Sequence, residues 1–253
     1  MISKRLIPLF LLKGRRLVKG KQFRDFVDVG DPLSQAMIYD AQGADEIIIV
    51  DIEASEKGRI INTDIINKMI NNCNLPIAGG GGIKSIEDAR RCFESGVDKI
   101  IVNTHAVLDP VLVKGLADEF GSQSVVVSLD VKKSNSGKYG VYVMAGKQMV
   151  DTELQPMIER FIEYGAGEIL ITSIDREGTL QGFDYDLYRE FGNTVTVPLI
   201  FSGGAGCYDD MVKLFKETDC DACANGKMLY LRDYDIVRIK SYLKWEKILM
   251  RES

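Results

Sequence analysis

Residues 43–55 read GADEIIIVDIEAS and residues 165–179 read GAGEILITSIDREGT, so one strand-like pattern occurs twice, 122 residues apart. Two further pairs keep nearly the same offset: GGGGI at 79–83 with SGGAG at 202–206, and DKIIVNT at 98–104 with DACANGK at 221–227. A nearly constant shift across three segments indicates an internal duplication. We therefore predict a single domain over residues 1–253, built from two half-barrels at roughly 1–121 and 122–253.

Short apolar runs alternate with helix-length amphipathic segments along the chain. Because these runs are apolar throughout, rather than at every second residue, we expect strands buried on both faces. Eight strand–helix units in one domain predict an α/β fold with a closed parallel sheet, the (β/α)8 or TIM barrel. The predicted strands are 5–12, 46–52, 75–79, 99–103, 124–130, 168–173, 197–202 and 219–224. The predicted helices include 32–42, 61–72, 86–95, 110–120, 153–164 and 209–217.

Composition excludes several classes of function. The 253 residues are 45% hydrophobic and carry a formal net charge of −5, which gives no general attraction to nucleic acid or to anionic lipid. No apolar run reaches bilayer-spanning length, and the first ten residues turn polar too quickly for a signal peptide. We expect a cytoplasmic protein without a nucleic-acid or membrane partner.

The five cysteines form an odd set without framework spacing, which fits a reducing compartment. Cys220 and Cys223 have CxxC spacing, but their segment is apolar and no second CxxC accompanies it. The single histidine, His105, is distant in sequence. We interpret the pair as buried thiols and expect neither a metal nor a cofactor.

Glycine clusters follow the third and seventh predicted strands, and each is matched by a donor-rich turn after the next strand. In such turns the backbone N–H groups and the positive end of a helix can bind phosphate, although glycine also serves tight turns. Two copies at one barrel mouth predict an elongated small-molecule ligand with a phosphate at each end. The predicted phosphate-binding residues are Gly81, Gly82, Asn103 and Thr104 in the first half, and Gly178, Thr179, Gly203, Gly204, Asn225 and Gly226 in the second.

The C-terminal ends of barrel strands carry the chemistry, because the loops there surround the mouth. Under the duplication, Leu11 and Asp130 occupy equivalent places at the ends of the first and fifth strands, yet only Asp130 is an acid. Asp51 lies at the end of the second predicted strand. Lys19, in the long first loop, could reach a bound phosphate or stay solvated.

The combined motifs resemble the cyclase subunit of imidazole glycerol phosphate synthase. This family joins ammonia to a bisphosphorylated ribulosyl nucleotide precursor in histidine synthesis. The resemblance covers nearly the whole chain. It is also specific, since the sister isomerase of the pathway shares the duplicated barrel but lacks the FGSQ and GAGEILITSIDREGT motifs. The motifs are KRLIP at 4–8, VKG at 18–20, GDP at 30–32, VDIEAS at 50–55, GGGI at 80–83, VNTHAV at 102–107, FGSQSVVVSLD at 120–130, GAGEILITSIDREGT at 165–179 and SGGAG at 202–206.

In that family, two aspartates at the ends of strands one and five carry ring closure. The resemblance therefore implies that Asp130 is catalytic and that Leu11 marks a lost acid. Two carboxyls can divide proton donation and removal, whereas leucine can do neither, and loss of a general acid typically lowers a rate about 100- to 10,000-fold. The alternative is a shifted frame in which Asp25 or Asp28 supplies the second acid. Glu177 stands where the family usually has aspartate, which lengthens the side chain but keeps its charge.

Four charged residues, two of each sign, stand at the starts of predicted strands: Arg5, Glu46, Lys99 and Glu168. Unpaired buried charges carry a large desolvation penalty, so we expect these four to pair across the barrel floor. In the family that this sequence resembles, such a ring is the gate of a channel that brings ammonia from a separate glutaminase subunit. The resemblance also places Asp98 and Gln123 on the face that docks this glutaminase. The alternative is a ring that only stabilises the barrel.

A lost acid at the mouth and a complete gate set suit a paralogue that docks a glutaminase and conducts ammonia without closing imidazole rings. The start IPxxLLKG at 7–14 also resembles paralogues that accompany surface-polysaccharide genes. There, ammonia passes to a separate amidotransferase that converts an acetamido group on a nucleotide sugar into an acetamidino group. Two alternatives remain: an ordinary cyclase of histidine biosynthesis that tolerates Leu11, and a non-catalytic scaffold that binds a phosphorylated ligand and switches the glutaminase on.

Two further features are predicted to be structural. His105 is expected at a helix start and away from the chemistry, because no acid or nucleophile neighbours it in sequence. Tyr139, Tyr142 and Met144 lie in KYGVYVMAGK at 138–147, where the period-two alternation predicts a hairpin lid after the fifth strand.

Overall fold

Eight parallel strands close into a barrel in the computed structural model, which describes residues 3–230 and 234–251. The barrel strands are β1 (Arg5–Lys13), β4 (Ile47–Asp51), β5 (Ile77–Gly80), β6 (Lys99–Val102), β7 (Val125–Lys133), β10 (Glu168–Ser173), β11 (Leu199–Ser202) and β12 (Ala222–Asn225). Each strand pairs with the next in this order, and β12 pairs with β1 to complete the circle. The predicted (β/α)8 barrel is confirmed.

Helices follow the barrel strands and cover the outside of the sheet. They are α1 (Pro32–Ala41), α2 (Thr63–Ile70), α3 (Ile86–Glu94), α4 (Thr104–Leu108), α5 (Val111–Phe120), α6 (Leu154–Glu163), α7 (Tyr185–Phe191), α8 (Tyr208–Glu217) and α9 (Ile236–Trp245). Their starts are set locally: Asp31 accepts the N–H of Ser34 at the start of α1, which also begins with Pro32. Within the described residues, no helix has the length and apolarity required to cross a membrane.

Two antiparallel hairpins extend the sheet above the barrel. The first hairpin, β2 (Arg16–Lys21) and β3 (Arg24–Gly30), follows β1, and the second hairpin, β8 (Tyr139–Val143) and β9 (Gln148–Val150), follows β7. The second was predicted, whereas the first was expected to be a long loop. The two hairpins follow strands that the sequence duplication makes equivalent. The boundary between the half-barrels stays a prediction.

Side chains alternate along β1 between two cores. Leu6, Phe10 and Leu12 pack with the helices, whereas Leu9 and Leu11 belong to an apolar cluster inside the barrel. This alternation follows from the period of two of any strand, so a residue at the end of β1 faces either the helices or the mouth. Leu11 faces the mouth.

Strand starts differ from the predicted bounds by up to three residues. β5 and β11 each begin one residue after a proline, Pro76 and Pro198. Proline has no N–H to donate to a neighbouring strand, so the regular ladder starts after it. The helices α4, α7 and α9 lie outside the predicted helical segments.

Candidate active site

A cavity opens at the C-terminal ends of the barrel strands, here called the mouth. Its walls are mostly apolar and come from β1, β4, β6, β7 and β10, the loop after β5, the first hairpin and the turn of the second hairpin. Among the polar groups that line it are Asp51, Asn103, Thr104, Ser128, Asp130, Thr172 and Glu177. An apolar cavity with a few convergent polar groups is the usual form of a small-molecule site.

Leu11 and Asp130 line this cavity from the ends of β1 and β7. Leu11 is 7% exposed and contacts the apolar cluster inside the barrel, which includes Leu9 and Val18. Leucine methyl groups therefore stand at the position where the resembling family would place a carboxyl group.

Neither aspartate of the first hairpin replaces that acid. Asp28 lies on β3, where its Oδ2 accepts from Nε of Arg16 at 2.8 Å on the exposed side of the hairpin. Asp25 is exposed at the start of β3 and has a left-handed backbone, with φ of 52°. The shifted-frame alternative is therefore wrong for this structure.

The carboxyl group of Asp130 is held in the cavity wall by Asn103, whose Nδ2 donates to Oδ2 at 2.9 Å. Burial raises the pKa of Asp130 to about 7, against the lowering effect of this hydrogen bond, and the charge of Glu177 adds to the rise. Near neutral pH both protonation states are populated, so Asp130 can donate or accept a proton.

Glu177 is a second buried acid of the cavity and lies in the loop after β10. It is 6% exposed, and its Oε2 has no hydrogen-bond partner among the residues described. Burial raises its pKa, while Lys19 and Lys227 act in the opposite direction.

Lys19 lies on β2 and is buried beside Glu177. Its Nζ donates to the carbonyl oxygen of Leu9. Burial lowers the pKa of Lys19 to about 8, and the charge of Glu177 opposes this shift. The expectation that Lys19 could stay solvated is wrong, because the predicted loop is a strand whose inner face is covered.

Asp51 ends β4 at the edge of the cavity. Its Oδ1 accepts the N–H of Glu53 at 3.0 Å, and its Oδ2 pairs with the guanidinium of Arg59. Because both oxygens have partners within the protein, Asp51 acts as a positioning residue for the loop after β4.

The first-half phosphate residues, Gly81, Gly82, Asn103 and Thr104, all border the cavity. Gly82 has a φ of +73°, and a Cβ atom there would lie 1.8 Å from the carbonyl oxygen of Arg59, so only glycine fits this turn. Oγ1 of Thr104 accepts the N–H of Met144 at 3.1 Å. Phosphate binding at this turn stays a prediction.

The second-half residues do not border the cavity: Gly178, Thr179, Gly203, Gly204, Asn225 and Gly226 are absent from its lining. Strand β2 covers part of this group. A Cβ atom on Gly226 would lie 2.8 Å from Nζ of Lys19, and one on Gly178 would lie 2.2 Å from the carbonyl oxygen of Gly20. Gly178 is buried under strand β2, whereas Thr179, Gly203 and Gly226 are half-buried, as Gly81 and Gly82 are.

At the opposite end, here called the floor, the four charged residues form a closed ring of ion pairs. Arg5 contacts Glu46 at 2.9 Å and Glu168 at 3.1 Å, and Lys99 contacts the same two residues at 3.1 and 2.9 Å. Their side chains are 2–19% exposed. Each cation thus contacts both carboxylates, and the ring is neutral.

The pKa shifts in the ring follow from burial and pairing. Burial lowers the pKa of Arg5, but Glu168 and Glu46 more than offset this, so it is raised. Burial raises the pKa of Glu46, against the effect of Lys99 and Arg5. Mutual compensation is what makes four charges tolerable at the base of an apolar barrel.

Asp98 precedes β6 and has a structural role that the sequence did not indicate. Its Oδ2 accepts the N–H of Ile77, the first residue of β5, at 2.8 Å. Asp221 does the same for Leu199 of β11 at 2.9 Å. Asp98 is therefore more than a surface polar residue. Gln123 is exposed in a short 3-10 turn before β7, and the docking role of both residues stays a prediction.

His105 is the second residue of α4, as predicted, but it also lines the cavity. The expectation that it lies away from the site is therefore wrong: the short α4 begins directly at the mouth. Burial and the charge of Lys84 lower the pKa of His105.

The second hairpin has the predicted alternation, and its turn reaches the cavity. Tyr139 is buried and its hydroxyl donates to Oδ1 of Asp184 at 2.9 Å, whereas Tyr142 is half-buried. Met144 and Ala145, with φ of 54° and 55°, form the turn and line the cavity.

The CxxC cysteines are buried free thiols, as predicted. Sγ of Cys220 donates to the carbonyl oxygen of Leu199 at 3.3 Å, and burial raises its pKa to about 12. In the described part of the chain, no group of three or more His, Cys, Asp or Glu residues could hold a metal ion.

Phe23 and Phe26 line the cavity from the first hairpin and were missed in the sequence. They lie in KQFRDFVDVG at 21–30, where interspersed charges obscure any apolar pattern. Their role depends on the hairpin folding over the mouth, which only tertiary structure decides.

A closed barrel with a cavity at the C-terminal strand ends and titratable acids inside it has the architecture of (β/α)8-barrel enzymes. The chain belongs to the family described as histidine biosynthesis protein, whose model matches residues 5–235. Imidazole glycerol phosphate synthase subunit HisF of Alkaliphilus metalliredigens is 40% identical over 251 residues, covering 99% of this chain and 100% of the relative. Proteins of the same name are 40% identical over 252 residues in Bacillus pumilus (99% and 100% covered) and 41% identical over 251 residues in Dictyoglomus thermophilum (99% of each).

Proposed function

We propose that this chain is an ammonia-conducting synthase subunit of the imidazole glycerol phosphate synthase type. It takes ammonia from a partner glutaminase at the floor and holds a phosphorylated small molecule at the mouth. It delivers the ammonia to a separate amidotransferase, which turns an acetamido group of a nucleotide sugar into an acetamidino group for surface-glycan synthesis. The observation that carries the proposal is Leu11 opposite Asp130 in the cavity, with a complete ion-pair ring at the floor.

The mouth supports the loss of ring closure. Closing an imidazole ring from an imine and a carbonyl needs a proton donated to the departing oxygen and another removed elsewhere. Asp130 is poised for one of these steps, but Leu11 provides no partner at the equivalent strand end. Such a loss lowers a rate by about 100- to 10,000-fold.

The floor and the interior support ammonia transfer. The ring of Arg5, Glu46, Lys99 and Glu168 admits a molecule only when one of its ion pairs parts. Above the ring, the inner cluster is apolar and includes Ile48 of β4. Because an unpaired ion is strongly disfavoured in such surroundings, this path favours neutral ammonia over ammonium.

The barrel itself makes no covalent bond in this scheme. The new C–N bond forms on the amidotransferase, where ammonia adds to the acetamido carbon and the amide oxygen leaves with two protons, as water in the net reaction. The contribution of this chain is to keep ammonia neutral and to prevent its loss to solvent.

A second candidate is a genuine cyclase of histidine biosynthesis. It is favoured by the three relatives at 40–41% identity, all named as the imidazole glycerol phosphate synthase subunit. In that case Asp130 works with another acid of the cavity, for which Glu177 is the available group.

The test supplies the purified chain with the bisphosphorylated ribulosyl precursor and an ammonium salt, which removes the need for a glutaminase. We expect turnover at least 100-fold below that of a relative such as the Bacillus pumilus protein. Leu11→Asp should restore part of this turnover, and Leu11→Asn, which is polar but not acidic, should not. Turnover at the level of the relative would discard the proposal and establish the second candidate.

Ala222 allows a test of the channel itself. It is fully buried in the cluster inside the barrel, and Ala222→Val narrows the lumen. We expect glutamine-dependent amidination to fall while stimulation of glutamine hydrolysis persists. Unchanged amidination would instead fit a scaffold that only activates the glutaminase.

A further inference from the structure

We propose that His105 binds a phosphate group of the ligand at the first-half turns, through an imidazolium form that strengthens binding as the pH falls. The proposal rests on the proposed phosphorylated ligand and adds to its site a titratable residue that the phosphate-binding turns do not include. A phosphate at the second-half turns is compatible with this assignment and plays no part in it.

His105 lies between the two first-half turns. It directly follows Thr104 at the start of α4 and lines the cavity together with Gly81 and Gly82 of the turn after β5. The next residue of α4, Ala106, is buried in the core beneath the helices, whereas His105 is half-buried. The side chain of His105 therefore faces the cavity beside both turns.

The ring nitrogens of His105 are available to a ligand. Within residues 3–230 and 234–251, neither of them makes a hydrogen bond or an ion pair with a protein group. By contrast, Nδ2 of Asn103 donates to Asp130, and Oγ1 of Thr104 accepts from Met144. A protonated imidazole has two N–H donors and forms charge-assisted hydrogen bonds with phosphate oxygens.

The charges nearest His105 favour an anion beside it. Burial and the charge of Lys84, in the loop after β5, lower the pKa of His105, whereas Asp88 of α3 acts in the opposite direction. A phosphate dianion beside Lys84 and His105 offsets the repulsion between these two cations. Bound phosphate therefore favours the imidazolium form.

Four acids line the same cavity: Asp51, Glu56, Asp130 and Glu177. The first two form ion pairs, with Arg59 and Lys147 respectively. Burial raises the pKa of the other two, so both approach their neutral forms as the pH falls. Loss of their charge also favours anion binding at lower pH, so the contribution of His105 has to be measured at its own ring.

Protonation of His105 and binding of phosphate are reciprocal. If imidazolium binds a phosphate about tenfold more strongly than imidazole does, saturating phosphate raises the pKa of His105 by about one unit. The pKa is then higher in the complex than in the free protein. Affinity is therefore gained as the pH falls through this range and lost as it rises.

The test is an NMR titration of the unmodified chain, in which His105 is the only histidine and gives the only imidazole signals. We expect saturating glycerol 3-phosphate to raise the pKa of His105 by about one unit. Inorganic sulfate, whose charge is constant over this pH range, should have the same effect and so excludes ionisation of the phosphate as the cause. The amide signals of Gly81 and Gly82 report whether the first-half turn is occupied.

His105→Gln keeps a neutral N–H donor but cannot become positive. At about pH 6 this variant should bind glycerol 3-phosphate at least about threefold more weakly than the unmodified chain, and at about pH 9 equally well. The amide signals of Gly81 and Gly82 measure both affinities. Lys114→Gln, which removes an exposed positive charge of α5 outside the cavity lining, is the matched control and should change neither value.

An unchanged pKa of His105 at saturation of the Gly81 and Gly82 signals would overturn the proposal, and so would the absence of any change in these signals. Because the titration uses the unmodified chain, it decides the outcome even if His105→Gln does not fold. The proposed function fails separately, through turnover of the histidine precursor. An unchanged pKa of His105 without such turnover would contradict only the role of His105.

Discussion

The two ends of the barrel treat buried charge differently. At the floor, two cations and two carboxylates contact one another in a neutral ring. At the mouth, Asp130 and Glu177 share a cavity, and neither makes an ion pair within the described part of the chain. Burial raises the pKa of both acids.

This difference separates structural charge from reactive charge. Paired charges at the floor stabilise the closed barrel and can part to admit a small molecule. Unpaired acids at the mouth titrate closer to neutral pH, so they can exchange protons. Variants at the floor and at the mouth test this difference in charge compensation.

Breaking the ion-pair ring at the floor should have the largest effect on stability. Glu46 is 2% exposed and contacts both Arg5 and Lys99, so Glu46→Ala leaves two buried cations against one carboxylate. We expect the free energy of unfolding to fall by about 3–5 kcal/mol, measured by urea denaturation. As a control, Glu119→Ala removes an exposed ion pair with Arg90 and should change the stability little. Equal effects would mean that the ring is not a buried network.

Removing the acid at the mouth should raise the free energy of unfolding rather than lower it. Because the pKa of Asp130 is raised from about 4 to about 7 on folding, the native state holds the proton more tightly between these values. Stability conferred by this group therefore falls as pH rises through that window and is constant above it. Asp130→Asn has no carboxyl group to titrate here, so it does not lose stability as the pH rises through this window.

We expect Asp130→Asn to be more stable than the unmodified chain by about 2–4 kcal/mol at pH 8 and to match it at pH 4. Urea denaturation at both pH values measures the difference. Asp118→Asn controls for the loss of an exposed charge. A variant that is less stable at pH 8 would show that Asp130 is compensated after all.

The smallest effect concerns the strand starts at the floor. Asp98→Ala and Asp221→Ala each remove the acceptor of one backbone N–H, that of Ile77 or Leu199. We expect each to lower the free energy of unfolding by about 1 kcal/mol. The proposed docking role of Asp98 predicts that only Asp98→Ala also weakens binding of the glutaminase, measured by calorimetry. If both variants weakened glutaminase binding equally, Asp98 would have no specific docking role.

The barrel, its eight strands and the identity of the floor residues could be read from the sequence. Apolar runs of constant spacing define buried strands, and a repeated offset of 122 residues predicts equivalent strand ends. The absence of an acid at Leu11 was equally visible, because a strand's period of two fixes which side chains face the mouth. These features depend on local pattern and on the closure of a parallel sheet.

Tertiary structure alone decided how the first hairpin lies over the mouth. The glycine turns of the two halves look alike in sequence, but strand β2 of the first hairpin lies close to Gly178 and Gly226 and brings Lys19 and Glu177 together. The same hairpin places Phe23 in the cavity, and the pairing of β5 with β6 gives Asp98 a partner on a neighbouring strand. Such contacts join residues far apart in the chain, and their energies depend on burial and distance, which no local pattern encodes.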